Sequence, residues 1–210
     1  MLEITENQGI GKLSFPLPIY TLVALATAKG NNGEEFEIVA GLERHLVDEL
    51  KRNSLDESDE ELQKNTSDRK RFGEGSYEEW YSKNRTPFGL IHKKTGALVA
   101  IVWLGPKPLG RKSLRYLSEE ELKKENEQKI DKWHTLVYRS YNPFRGKGLM
   151  KDFARFAMKI YSESEPDAHY WVGFNQENKA SIALASSLGF TLSEEVSDRP
   201  AGWLAMTKTK

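Results

Sequence analysis

The chain contains no cysteine. Disulfides, thiolate metal ligands and a cysteine nucleophile are therefore excluded, and the composition fits a reducing compartment, so the cytoplasm is the expected location. It also lacks net charge, with 31 Lys plus Arg against 31 Asp plus Glu. No global field draws the molecule towards nucleic acid or an anionic membrane, so any anion site has to be local. Long hydrophobic runs are missing too. The longest, Ile19 to Ala28, is interrupted by Thr21 and Thr27 and is about half of what a bilayer-spanning helix needs. The stretch from Met1 to Gly9 is acidic and polar, unlike the basic start and apolar stretch of a secretory signal. Neither nucleic acid nor a membrane is an expected partner. Two common phosphate loops are absent as well: no Gly-Lys-Ser/Thr follows a glycine at the required distance, and no third glycine completes G-x-G-x-x-G.

What is present is enough bulk for a core: 38% apolar residues, five Trp, nine Phe and eight Tyr in 210 residues. One domain over residues 1–210 is expected, with an N-terminal half (1–131) and a second half (132–210). The run beginning at Ile19 reads as a buried strand, followed by a turn at Gly30-Asn-Asn-Gly33. From Glu34, the positions Ile38, Val39, Leu42, Leu46 and Leu50 recur at helical spacing, which predicts a helix. The segment 53–76 has only Leu55, Leu62 and Phe72 as large apolar side chains and predicts a mobile loop. Tyr77 to Tyr81 predicts a short helix, and Phe88–His92 with Ala97–Leu104 predicts a hairpin turning at Lys93-Lys-Thr-Gly96. The polar insertion 105–131 contains Ser118-Glu-Glu-Glu121, a capping pattern that predicts a further helix.

The last third carries the chemistry. Trp133 to Tyr141 reads as a strand, Asn142-Pro143 stops it, and Arg145-Gly-Lys-Gly148 leads into a helix with Leu149, Phe153, Phe156, Ala157 and Ile160 on one face. Gly146 and Gly148 let the backbone turn sharply and approach a ligand. Where such a loop opens a helix, free N–H groups and the positive end of the helix dipole form an anion site, to which Arg145 and Lys147 add charge. A second strand, His169 to Phe174, precedes a small-residue helix opened by Asn178 and ended by Gly189. Phe190–Leu192 and Trp203–Thr207 predict a last hairpin.

Arg145-Gly-Lys-Gly-Leu-Met150, placed between strand and helix, resembles the coenzyme A loop of the GCN5-related N-acetyltransferase (GNAT) superfamily, Q/R-x-x-G-x-G/A. Asn178 through Leu188-Gly-Phe190 is similar to the second signature of that family. The resemblance covers about sixty residues in the correct order. It implies an α/β (α+β) fold with a mixed, centrally splayed sheet flanked by helices, with helical and loop insertions.

It further implies acetyl-CoA as co-substrate, with no metal, and transfer of the acetyl group to an amine by direct attack. The acceptor would be a small-molecule or peptide amine, and the protein a monomer or homodimer. Backbone amides of Arg145, Gly146, Lys147, Gly148, Leu149 and Met150 would bind the pyrophosphate. Asn178 would contact the pantetheine arm, and the strand through Tyr138, Arg139 and Ser140 would hold pantetheine and polarise the thioester carbonyl. The sequence departs from the family where many members place a proton-donating Tyr, since Ala185 stands there, and where the loop ends on Met150. Tyr138 or Tyr141 can substitute as acid, and His134 or His92 can act as base. Strand alternation puts His134, Tyr138 and Ser140 on one face and Tyr141 on the other. Ala185 and the lack of an obvious base leave an alternative open: a non-catalytic acyl-CoA-binding or sensing module of the same fold.

Overall fold

The computed structural model describes residues 1–110, 112 and 132–209. The helix predicted around Ser118 lies outside the described residues.

Nine strands form one sheet: β1 (Leu2–Glu6), β2 (Val23–Gly30), β3 (Glu35–Ala40), β4 (Thr86–His92), β5 (Leu98–Pro106), β6 (Trp133–Ser140), β7 (His169–Asn175), β8 (Thr191–Leu192) and β9 (Trp203–Lys208). Their spatial order is β1-β2-β3-β4-β5-β6-β7-β9-β8. Neighbours are antiparallel except β6 and β7, which run parallel. The helices are α1 (Arg44–Leu55), α2 (Glu60–Asn65), α3 (Tyr77–Tyr81), α4 (Met150–Ser164) and α5 (Lys179–Ser187), with a π-helical turn at Arg69–Gly73.

The sheet separates two apolar layers. On one face, α4 inserts Phe153, Ala154, Ala157 and Tyr161 among Phe36, Ile38, Leu90, Val102 and Leu136. On the other, α1, the π-helical turn and α3 bring Leu46, Leu50, Phe72, Trp80 and Tyr81 against Ile101 and Trp103. Strand β5 is buried on both faces from Leu98 to Gly105, as expected of a strand covered on both sides. Each fully buried Leu, Phe or Met side chain contributes about 2 kcal/mol relative to exposure, so the two layers fix the sheet against its helices.

The predicted hairpin at residues 88–104, the helix behind Gly148, the strand from His169 and the closing hairpin are all formed. Three expectations are corrected. The strand expected from Ile19 starts at Val23 and is the second of the sheet, after β1 at Leu2–Glu6. The helix predicted from Glu34 begins only at Arg44, because Phe36, Ile38 and Ala40 face the core while Glu35 is exposed, a period of two that suits strand β3.

The third correction concerns residues 53–76, expected to be a mobile loop. They form α2 and the π-helical turn, with Leu62 and Phe72 buried. The polar composition hid two carboxylates, Asp59 and Asp68, which are buried and paired with arginines from the neighbourhood of β6. Those forks tie the segment to the sheet together with the packing of Leu62 and Phe72.

Candidate active site

The pairing of β6 with β7 spans only three partners, from Trp133↔His169 to Thr135↔Trp171. Beyond them the strands part and leave an open cleft of about 100 Å³, walled by Thr135–Arg139, Trp171–Phe174, Asn178, Ser181 and residues 65–67. The register tells which main-chain groups face it. Tyr141 N donates to Val99 O at 2.9 Å and Lys107 N to Trp133 O at 2.9 Å, so odd-numbered residues of β6 bond to β5. Even-numbered residues turn the other way, and the N–H groups of Tyr138 and Ser140 point across the gap. Their carbonyls are already used: Arg139 Nη1 donates to Tyr138 O at 2.7 Å, and Arg145 Nε and Nη2 donate to Ser140 O at 3.1 and 2.9 Å.

The opposite wall follows the same rule. Gln176 N donates to Gly202 O at 2.9 Å, so the even positions of β7 bond to β9 and Gly173 turns its main chain to the cleft. A Cβ on Gly173 would come within 2.6 Å of the Trp203 ring, so only glycine fits there without displacing the tryptophan.

At the end of β6 the chain passes the cis Asn142–Pro143 bond and enters the glycine loop, where Gly146 and Gly148 hold φ of +80° and +73°. The amides of Arg145 and Lys147 turn inward, to Tyr141 O at 3.0 Å and Phe144 O at 3.3 Å. Those of Gly146 and of residues 148–152 donate to no acceptor among the described residues. Six N–H groups at the N-terminus of a 15-residue helix thus stand ready for an anion. The nearby acids are already paired. Asp152 accepts Leu2 N at 2.8 Å, and Glu34 pairs with Lys147 at 3.3 Å.

The side chains are arranged differently from the expectation. Arg145 does not face the loop; its guanidinium forks onto Asp59, the N-cap of α2. Burial pushes the Asp59 carboxyl up, but the hydrogen bonds from Arg145 and Leu62 N outweigh it and hold the group below the ordinary carboxylate value. Arg139 likewise pairs with Asp68, at 2.6 Å. Lys147 remains at the loop, with its ammonium 4.6 Å above the Phe144 ring.

Among the candidate acid and base residues, Tyr138 lines the cleft and donates to Ser181 O at 2.9 Å. Burial pushes its hydroxyl well above the usual value. Tyr141 does not reach the cleft. It is buried in the layer of α1 and α3, its hydroxyl has no hydrogen-bond partner among the described residues, and burial raises its pKa strongly. His134 faces α4, with Nδ1 2.8 Å from Tyr161 Oη. His92 lies 2.9 Å from Thr95 Oγ1 at the β4–β5 turn, packed against Phe36 and Phe144. Asn178 lines the cleft and caps α5 by accepting Ser181 N at 3.0 Å. Arg71, Asp68 and Gly173 were not legible beforehand, because they lie in a polar tract and inside a strand where no local pattern singles them out.

Neither a scan of protein-family models nor a search of curated proteins by sequence gives a match. Solved structures do match. The chain is similar to the GNAT domain of S. lividans PAT (TM-score 0.55, 12% identity, covering 87% of this chain and 94% of that one). It is also similar to the ribosomal L7/L12 α-N-protein acetyltransferase RimL in complex with coenzyme A (0.54, 14%, 82% and 93%). A third match is the ribosomal-protein-S5-alanine acetyltransferase from Vibrio fischeri (0.51, 11%, 81% and 92%). With the parallel, splayed β6–β7 pair and the glycine loop opening α4, these likenesses identify the fold as that of the GNAT superfamily.

Proposed function

We propose that the protein is an N-acetyltransferase that uses acetyl-CoA and transfers its acetyl group directly to an amine. The observation that carries the reading is the set of free amides at Gly146 and residues 148–152, a main-chain cradle suited to a pyrophosphate. RimL in complex with coenzyme A supports it by likeness of fold. In this reading Lys147 adds charge beside the cradle, while Arg145 holds the cradle to α2 through Asp59 instead of touching phosphate.

The pantetheine arm would enter the gap between β6 and β7. The N–H groups of Tyr138 and Ser140 and the main chain of Gly173 offer it strand-like hydrogen bonds, and Asn178 stands at its edge. One of those β6 amides would polarise the thioester carbonyl. In the transfer a C–N bond forms as the C–S bond breaks, the amine loses a proton and the departing thiolate gains one. Tyr138 is the one phenol on the cleft wall among the described residues, and its raised pKa keeps it protonated, although it makes a weak acid. No histidine or carboxylate side chain lines the cleft among the described residues. Deprotonation of the amine is therefore assigned to water.

That same lack of a side-chain base favours a second reading, an acyl-CoA-binding module without turnover. Release of thiol in the presence of an amine separates the two. The first reading is tested by calorimetry with acetyl-CoA and Gly148→Glu. At φ of +73° a side chain costs about 1–2 kcal/mol of strain, and the carboxylate repels phosphate. Binding by the native protein and none by the variant, with a cooperative melt retained, is expected; equal affinity in both overturns the cofactor assignment.

A further inference from the structure

The side of the cleft next to the π-helical turn is cationic. Arg71 and Arg139 share one carboxylate: Arg71 Nη1 donates to Asp68 Oδ1 at 2.5 Å, and Arg139 Nε and Nη2 donate to Oδ2 and Oδ1 at 2.6 and 3.2 Å. Asp68 is completely buried, whereas both arginines keep part of their side chains exposed and line the cleft. Among the described residues, two guanidiniums share this one carboxylate, which leaves a charge of one unit uncompensated within the cluster. Both lie over the Trp103 ring, 5.6 and 5.2 Å from its centre, which fixes their direction. Lys107 adds a third cation to the wall, 4.9 Å above Trp171. Asn65, Thr66 and Ser67 on this side are neutral, and no Asp or Glu lines the cleft among the described residues. Glu177, which precedes Asn178, pairs with Lys64 at 3.7 Å.

We infer that the acceptor is an amine that also carries a carboxylate, held by Arg71 and Arg139 while the amine is presented to the thioester. This deepens the acyltransferase reading and rests on it. Planar guanidiniums match a carboxylate in two-point geometry. The surplus positive charge also favours the neutral, attacking form of the amine over its ammonium. The same field disfavours polyamines and other polycations, which bring only like charge.

The test measures thiol release from acetyl-CoA with the full chain across matched amines: alanine and glutamate, their carboxamides, a short acidic peptide and putrescine. The carboxamides are less basic and hold more free amine at neutral pH, which biases the comparison against the proposal. Carboxylated amines are expected to show kcat/KM at least about tenfold above the carboxamides and putrescine, the worth of one charge-assisted contact. Alanine and the acidic peptide distinguish a free amino acid from a peptide acceptor. Arg71→Gln is expected to raise the KM for a carboxylated amine about tenfold with the acetyl-CoA Kd unchanged, and Arg71→Lys to recover part of it. If Arg71→Gln fails to fold, Lys107→Gln supplies the same readout with a smaller effect. Equal or better use of carboxamides or putrescine overturns the inference and leaves the cofactor reading intact. So does turnover of no carboxylated amine while acetyl-CoA binds. Failure of the native protein to bind acetyl-CoA overturns both.

Discussion

The two sides of the splayed cleft are built from different materials. The loop side is main chain: six amides with no acceptor among the described residues, two glycines at positive φ, and hardly any side-chain charge directed at the proposed anion site, since Arg145 is spent on Asp59. The facing side is side chain: Asp59 and Asp68 receive Arg145, Arg139 and Arg71, and those forks hold α2 and the π-helical turn to the sheet. A main-chain site tolerates replacement of its neighbours' side chains and fails when the backbone path changes. A wall of ion pairs does the reverse.

This contrast can be broken by experiment. The largest effect is expected for Asp68→Ala, which leaves two arginines facing each other without their shared carboxylate. Loss of one member of a buried pair costs about 3–5 kcal/mol, and a denaturant melt should show it as a large fall in midpoint. Asp59→Asn should cost about 3 kcal/mol by the same argument while leaving the glycine loop's amides in place.

Asp59 also sets a pH dependence. Its folded pKa lies below the unfolded value, so its contribution is complete above about pH 4, where the unfolded carboxyl is ionised, and is lost as pH falls through the folded pKa. A stability profile of the native protein should fall in that acid range, and Asp59→Asn should flatten it. On the loop side, Gly148→Ala should cost about 1–2 kcal/mol in stability through strain and weaken acetyl-CoA binding. Lys147→Ala should be the mildest change, about 0.5 kcal/mol or roughly twofold in Kd, because its exposed pairing with Glu34 contributes little. A Lys147→Ala effect larger than that of Gly148→Ala would mean that the anion site depends on side chains after all.

The same contrast governs what the sequence discloses. Gly146 and Gly148 before a helix, and Asn178 before Leu188-Gly189, announce themselves because backbone sites demand glycine and caps at fixed spacing. The hairpin of β4 and β5 and the helix α4 were legible from periodicity. The facing wall was not. Asp59, Asp68 and Arg71 sit in a tract of charged residues that resembles solvated chain, and their partners are between 3 and 86 positions away. Pattern also misled at residues 35–40, where helical spacing in Ile38, Val39 and Leu42 overlapped a strand's alternation. The faces of β6 follow the predicted alternation, yet which side chains reach the cleft depends on where β7 leaves it, at Thr135.

In the proposed enzyme, main-chain N–H groups hold the anion. Backbone amide shifts followed by NMR during titration with acetyl-CoA test it directly. Large, saturable shifts and slowed exchange are expected at Gly146 and residues 148–152. Saturable binding that leaves those amides unmoved would contradict it.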